Sequence, residues 1–293
     1  MCREVLELKL SFSSNAYTRH SLFAAVEGIA AAGYAGVELL ADTPHLYPFS
    51  FGAEDERKLQ ELLGRHGLGV ANINANTAMG YYGRTFWEPL FEPSLANPDP
   101  LVRKWRIDYT KRCIILAHRL GAPTVSVTSG CMLPAIRPED SLLLLRDSLR
   151  EVVSFAGDYH IRIAIEYKPG LLISCAEELA TFLVLFDSPF LGANLDLAGS
   201  HVLGEDHNEV ISLLDEKIFH ICLGDIHRHK HYHLIPGQGD MDFPAIFAAL
   251  DQQRYTGHIT LDLHTCVNAP DEAARQSIAF LQALPSRSSR GKE

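Results

Sequence analysis

Residues 123–167 read PTVSVTSGCMLPAIRPEDSLLLLRDSLREVVSFAGDYHIRIAIEY. The opening PTVSVTS (123–129) is a short run rich in β-branched residues, the composition of a strand. Pro138-Glu139-Asp140 then sets a proline and two acids where a helix begins, and SLLLLRDSLREVVSFAGDY (141–159) has helical period. IRIAIEY (161–167) is a second strand. Strand, helix and strand in such close succession make a parallel pair with a helical crossover. The alternation continues in both directions. Upstream lie the apolar runs VLELKLSF (5–12), GVELL (36–40) and GVANINA (69–75); downstream lie FLGANLDL (190–197), KIFHICLG (217–224) and GHITLDL (257–263). Helical segments occupy most gaps: SLFAAVEGIAAAGY (21–34), WRIDYTKRCIILAHRLG (105–121), AEELATFLVLF (176–186), FPAIFAALDQQ (243–253) and DEAARQSIAFLQAL (271–284). Eight strands alternating with helices predict an α/β protein, a single-domain (β/α)8 TIM barrel over 1–285, with SRSSRGKE (286–293) as a flexible tail. The alternative, a doubly wound open sheet, usually has five to seven strands and often a glycine-rich first turn; no G-x-G-x-x-G follows the first strand.

Of the 293 residues, 26 are Lys or Arg and 36 are Asp or Glu, a formal charge of −10. That balance opposes nucleic-acid backbones and anionic membranes. No apolar run approaches the roughly 18–20 residues of a bilayer span. MCREVLELKLSFSS at the amino terminus lacks the apolar stretch of a signal peptide, so a cytoplasmic location is expected. The six cysteines (Cys2, Cys113, Cys131, Cys175, Cys222, Cys266) form no C-x-x-C pair and read as free thiols.

In a barrel of this kind chemistry occurs at the carboxyl ends of the strands. The polar residues there are Ser13 and Asn15, Glu38, Asn74 and Asn76, Thr128, Glu166 and Lys168, Asp196, His220 and Cys222, and Asp262 and His264. Side chains alternate faces, so Glu166 and Lys168 share a face, as do His220 and Cys222. Glu166, Asp196 and Asp262 converging on one rim would repel one another unless protonated or bridged by a cation, which points to a divalent metal. The carboxylates lean toward Mn²⁺ or Mg²⁺, the imidazoles toward Zn²⁺ or Co²⁺. Between strands seven and eight, DIHRHKHYHLIPGQGD (225–240) carries His227, His229, His231 and His233 at alternate positions, which point one way if the segment is extended. The long stretch 76–104, with Tyr81, Tyr82, Phe86 and Trp87, is a candidate lid or substrate wall. Asn74, Trp87 and Arg228 are the candidate substrate-binding residues, Arg228 as an anchor for a phosphate or hydroxyl.

Three motifs resemble the xylose-isomerase-like TIM-barrel superfamily of sugar isomerases and epimerases. IAIEYKPG (163–170) is similar to its strand-five E-x-K-P signature, HICLGD and HYHLIPGQGD (220–240) to its strand-seven segment, and GHITLDL (257–263) to its strand-eight ending. The resemblance implies that Glu166, Asp196, Cys222, His231, His233 and Asp262 ligate the metal, that Lys168 bonds the substrate carbonyl, and that Glu166 and Asp262 are the catalytic carboxylates. It also implies a carbohydrate substrate and a homodimer. Three positions depart from the pattern. Asp262 stands where the epimerases usually have Glu. Cys222 stands where they have His, so either its thiolate ligates, or His220 replaces it, or that ligand is missing. Gly199 occupies the usual strand-six His position, with His201 two residues later.

The function these features imply is metal-dependent isomerisation or epimerisation of a small sugar, sugar phosphate or cyclitol ketone, by enediolate proton transfer or a metal-assisted hydride shift. Dehydration of a polyol or inosose on the same site is the alternative enzyme chemistry. A barrel with a degenerate metal site that only binds a metabolite is the non-enzymatic one. An apurinic-site endonuclease is opposed by Thr128, where such enzymes have His, and by the charge.

Overall fold

The computed structural model describes residues 9–84, 89–134, 136–186 and 188–284. In chain order the helices and strands are β1 (Lys9–Ser13), α1 (Leu22–Ala32), β2 (Gly36–Leu40), α2 (Ala53–His66), β3 (Gly69–Asn74), α3 (Pro100–Leu120), β4 (Thr124–Thr128), α4 (Pro138–Asp158), β5 (Arg162–Glu166), α5 (Ala176–Leu183), β6 (Leu191–Asp196), α6 (Leu197–Leu203), α7 (His207–Leu214), β7 (Ile218–Leu223), β8 (Asp225–His227), β9 (Lys230–Leu234), α8 (Phe243–Gln252), β10 (His258–Leu261) and α9 (Pro270–Ala283). Eight strands close into a barrel in the order β1-β10-β7-β6-β5-β4-β3-β2, and every pairing within it is parallel. The (β/α)8 TIM barrel expected from 123–167 is the fold. The tail 286–293 lies outside the described residues.

Besides the short helices α6 and α7 between β6 and β7, which the sequence reading leaves unassigned, two parts of the chain differ from it. The segment after β2, AEDERKLQELLGRH, is the helix α2, which the apolar-period reading passes over because only Leu59, Leu62 and Leu63 are buried. Its ends support the short stripe these three make: Glu54, Asp55 and Glu56 occupy the first turn, Arg65 and His66 the last, matching the helix dipole. Gly67, at φ 65°, supplies the left-handed residue that ends it. The second difference is 225–234, an antiparallel hairpin of β8 and β9 standing on the barrel mouth. Arg228 and His229 form its tip, both at positive φ.

Alternation along the strands splits the barrel into two cores. Phe12, Val37, Leu39, Ile73, Val125, Val127, Ile163, Ile165, Leu195, Ile221 and Ile259 are fully or almost fully buried within the apolar cluster. Their neighbours in sequence are polar and equally buried: Ser11, Ser13, Glu38, Asn72, Asn74, Thr124, Ser126, Asn194, His220 and Thr260. Glu38 of β2 contacts His220 of β7, strands that are not neighbours, so the contact crosses the interior. The inside of the barrel is thus a hydrogen-bonded network, and the hydrophobic core is the layer between strands and helices. Among the described residues no helix is long and apolar enough to cross a membrane. Cys113, Cys131, Cys175, Cys222 and Cys266 are free thiols, and Cys2 lies outside the described residues.

Candidate functional site

Glu166 is the last residue of β5 and Asp196 the last of β6, while Asp262 directly follows β10. All three are at most 5% exposed and belong to one mouth. Lys168, two residues beyond Glu166, turns its ammonium between the acids: Nζ is paired with Glu166 Oε1 and donates to Asp196 Oδ2 at 3.1 Å. The cation between these two carboxylates is therefore the chain's own, where the sequence reading called for protonation or a bridging cation. Glu166 Oε2 accepts from Asn76 Nδ2 and Asn194 Nδ2, each at 2.6 Å. Asp262 Oδ1 accepts from Asn15 Nδ2 at 2.7 Å and lies 3.1 Å from His264 Nδ1.

These surroundings move the acids apart in proton affinity. Burial pushes Glu166 up to about 7, against the pull of the Lys168 ammonium. Burial works to raise Asp196 as well, but Lys168 and His233 overcome it and hold Asp196 below the usual range. Asp262 is likewise carried from a burial-raised value to well below it by His264, His233 and Lys168. Burial alone would lower Lys168, and Glu166, Asp196 and Asp262 together keep it well above its ordinary value.

The hairpin closes the other side. His233 is fully buried, and its Nδ1 lies 2.6 Å from the carbonyl oxygen of Asp262. A carbonyl only accepts, so Nδ1 carries the hydrogen and Nε2 of the neutral ring presents its lone pair. Burial favours that neutral form. Nε2 faces His231 Nε2 at 3.4 Å and Asp196 Oδ2 at 3.8 Å. Burial also lowers His231, to about 4, helped by Lys168 and His233. Two overlapping sets result, Asp196–His231–His233 and His233–Asp262–His264, each with one donor atom per residue within 4.8 Å of the others. Neutral imidazoles and low-affinity carboxylates aimed at one another, with the ligating ring steadied through its second nitrogen, are donors suited to a divalent transition metal.

The structure separates the sequence-selected residues into two groups. Glu166, Lys168, Asp196, His231, His233 and Asp262 share the mouth. His220 and Cys222 lie deeper, around Glu38, and Asn74 joins them. Glu38 Oε1 accepts from Ser13 Oγ at 2.7 Å and Asn74 Nδ2 at 3.0 Å; Oε2 accepts from Asn72 Nδ2 at 2.9 Å and lies 3.2 Å from His220 Nε2. Cys222 Sγ is 4.0 Å from Glu38 Oε2 and 3.5 Å from Asn194 Oδ1. Burial, then Glu38 and the mouth acids, raise its thiol well above the ordinary value, so it stays protonated in this setting. Glu38, His220 and Cys222 form a third close donor set. Asn194 joins the two groups, taking Cys222 on its oxygen and giving its nitrogen to Glu166.

Of the four alternate hairpin imidazoles, only His231 and His233 enter the mouth. His227 lies 3.5 Å from Asp240 Oδ2, and His229 bonds the carbonyl oxygen of His201, because the chain reverses at 228–229. Arg228 is exposed at that tip. Trp87 lies outside the described residues. His264, Asn76 and Asn194 were missed as site residues, although His264 and Asn76 stand at strand ends and Asn194 is one alternation before Asp196. A cavity of about 610 Å³ opens at the opposite end of the barrel beside Lys9, Arg162, Arg254 and Tyr255, and none of the mouth residues lines it.

Residues 26–284 match the family model of the xylose isomerase-like TIM barrel, and the chain belongs to that family. Among curated relatives it is 22% identical over 257 residues to fructoselysine 3-epimerase of Shigella flexneri, covering 86% of this chain and 89% of that one. It is 28% identical over 238 residues to 2-oxo-tetronate isomerase of Pectobacterium atrosepticum, covering 78% and 80%. It is 25% identical over 247 residues to 3-dehydroshikimate dehydratase of Pseudomonas putida, covering 81% of this chain but only 35% of that one. Similar solved structures include a D-tagatose 3-epimerase-like protein (TM-score 0.79, 23% identity, 94% and 96% covered) and IOLI protein with a bound zinc atom (TM-score 0.76, 20% identity, 94% and 96% covered). These three curated relatives are an epimerase, an isomerase and a dehydratase.

Proposed function

We infer that the protein is a metal-dependent isomerase or epimerase of a small polyhydroxy ketone. The observation that carries this reading is the grouping of Glu166, Lys168, Asp196, Asp262 and three imidazoles at the carboxyl ends of the strands. Asp196, His231, His233, Asp262 and His264 would hold a divalent ion, which when bound supplies a Lewis acid for the substrate carbonyl; Zn²⁺ or Co²⁺ suit the imidazoles, Mn²⁺ the carboxylates. Glu166 removes the proton from the carbon beside the carbonyl, its carboxyl group held by Asn76 and Asn194. Glu166, protonated by that step, returns the proton to the adjoining carbon, while Asp262, held ionised and steadied by Asn15 and His264, is the second carboxylate across the mouth. Lys168 supplies a hydrogen bond to the oxygen on which charge develops. Dehydration shares the first step.

The test is incubation in D₂O with unphosphorylated ketohexoses, their phosphates, 2-oxo-tetronate and inososes, followed by NMR and mass spectrometry. Deuterium at the carbon beside the carbonyl is expected, with the rate falling roughly 10²-fold or more in Glu166→Gln. Turnover without deuterium would replace proton transfer by a hydride shift, and loss of water would assign the dehydratase. Turnover unchanged in both Glu166→Gln and Asp262→Asn would remove the catalytic assignment.

A further inference from the structure

Asp196 has two oxygens, and only one faces the mouth. Its Oδ1 caps α6 by accepting the Ala198 N–H at 3.1 Å. Its Oδ2 receives the Lys168 ammonium at 3.1 Å and also stands 3.8 Å from His233 Nε2. The oxygen that would complete the metal set with His231 and His233 is therefore already held by a cation. Gly199 borders the same atom: a Cβ there would lie 3.1 Å from Asp196 Oδ2. The sequence position at which the family resemblance calls for an imidazole thus presents no side chain to this carboxylate.

We propose that Lys168 is a built-in competitor for the divalent ion, sharing Asp196 Oδ2 with it in turn, so that metal loading transfers the ammonium from Asp196 to Glu166 alone. The inference rests on the metal site read above. Two cations on one carboxylate oxygen repel each other strongly in a site this buried, so the two occupancies exclude one another. The Lys168 side chain is 11% exposed and cannot withdraw into solvent, but it already touches Glu166 Oε1, so the exchange breaks one of its two ion pairs and keeps the other. Released from Asp196, Nζ has a free N–H to offer an oxygen of the substrate. The exchange orders the events: the ion enters first, and the lysine becomes a hydrogen-bond donor to substrate as a consequence. Lys168 in this sense is a positioning residue for the metal as well as a contact for the ketone.

The experiment is Zn²⁺ titration by calorimetry of the whole chain, stripped of metal at neutral pH, as wild type, Lys168→Met and Lys168→Arg, with a crystal structure of Zn²⁺-loaded wild type. Removing the competitor should tighten Zn²⁺ binding about tenfold or more in Lys168→Met, while Lys168→Arg stays close to wild type. The loaded crystal should show Nζ beyond hydrogen-bond distance of Asp196 and still against Glu166. Should Lys168→Met fail to fold, Lys168→Gln carries the same expectation. Equal or weaker Zn²⁺ binding in the neutral variant, or a loaded structure with the ammonium still on Asp196, overturns the competition and leaves the metal site standing. No Zn²⁺ binding in any of the proteins overturns the metal site, and the inference with it.

Discussion

Glu38 shows what a single buried residue does in this barrel. Ser13, Asn72, Asn74 and His220 all address its carboxyl group, and it is fully buried. Truncation takes the acceptor from Ser13, Asn74 and His220 in the buried interior, while Asn72 keeps its bond to Ser126 Oγ. Glu38→Ala should cost about 3–5 kcal/mol in urea unfolding. His45 gives a residue-scale pH dependence away from the site. Its Nε2 hydrogen is directed at the carbonyl oxygens of Tyr17 and His20, its Nδ1 faces Ser14 Oγ, and burial lowers its proton affinity. The unfolded chain, with His near 6.5, therefore binds the extra proton first. Stability from this group is complete above about pH 7 and is lost as pH falls below about 6.5. The urea midpoint should fall between pH 7.5 and 5.5, and fall less in His45→Gln. His258, lowered by burial to about 4, acts in the same direction.

Among the elements, the hairpin is the one on which the site depends. Asp225 is its anchor: Oδ2 accepts Gly237 N–H and Gly239 N–H at 2.8 Å each, while Oδ1 accepts Ile226 N–H at 2.9 Å and Met241 N–H at 3.3 Å. A Cβ on Gly239 would fall 2.3 Å from Asp225 Oδ1, so a glycine is required there. Asp225→Ala should cost about 2–4 kcal/mol and also weaken Zn²⁺ binding, because β9 carries His231 and His233. Calorimetry giving wild-type affinity in a destabilised Asp225→Ala would contradict that coupling. This element also marks where reading the sequence runs out. The alternation of His231 and His233 was legible, since β9 is extended and i, i+2 residues share a face. The departure of His227 and His229 was not, because it depends on positive φ at 228 and 229, which Arg and His do not announce. The helix α2 was hard to see for a different reason: its apolar stripe is short, Leu59, Leu62 and Leu63, in a segment otherwise dominated by charges.

For the whole molecule, the order of strands and the shared mouth were legible, because both follow from strand–helix alternation and from what ends each strand. The division of polar residues into a mouth and a deeper layer was not. It depends on the stagger of neighbouring strands, including the register shifts in the β2–β3 and β6–β7 pairs. A ligand bound to the folded barrel alone stabilises all of it. Zn²⁺ at about 100 times its Kd should add about 2.7 kcal/mol and raise Tm, chelation should reverse the rise, and His233→Ala should abolish it. Calorimetric scans with an unchanged Tm in wild type at saturating Zn²⁺ would count against the ion binding the native state.

Asn194 has a consequence beyond its two hydrogen bonds. It spans from the thiol of Cys222 to the carboxyl group of Glu166, so the floor of the barrel and its reacting end are mechanically one piece. Reactivity can therefore be retuned from underneath, by exchanges that no substrate ever meets.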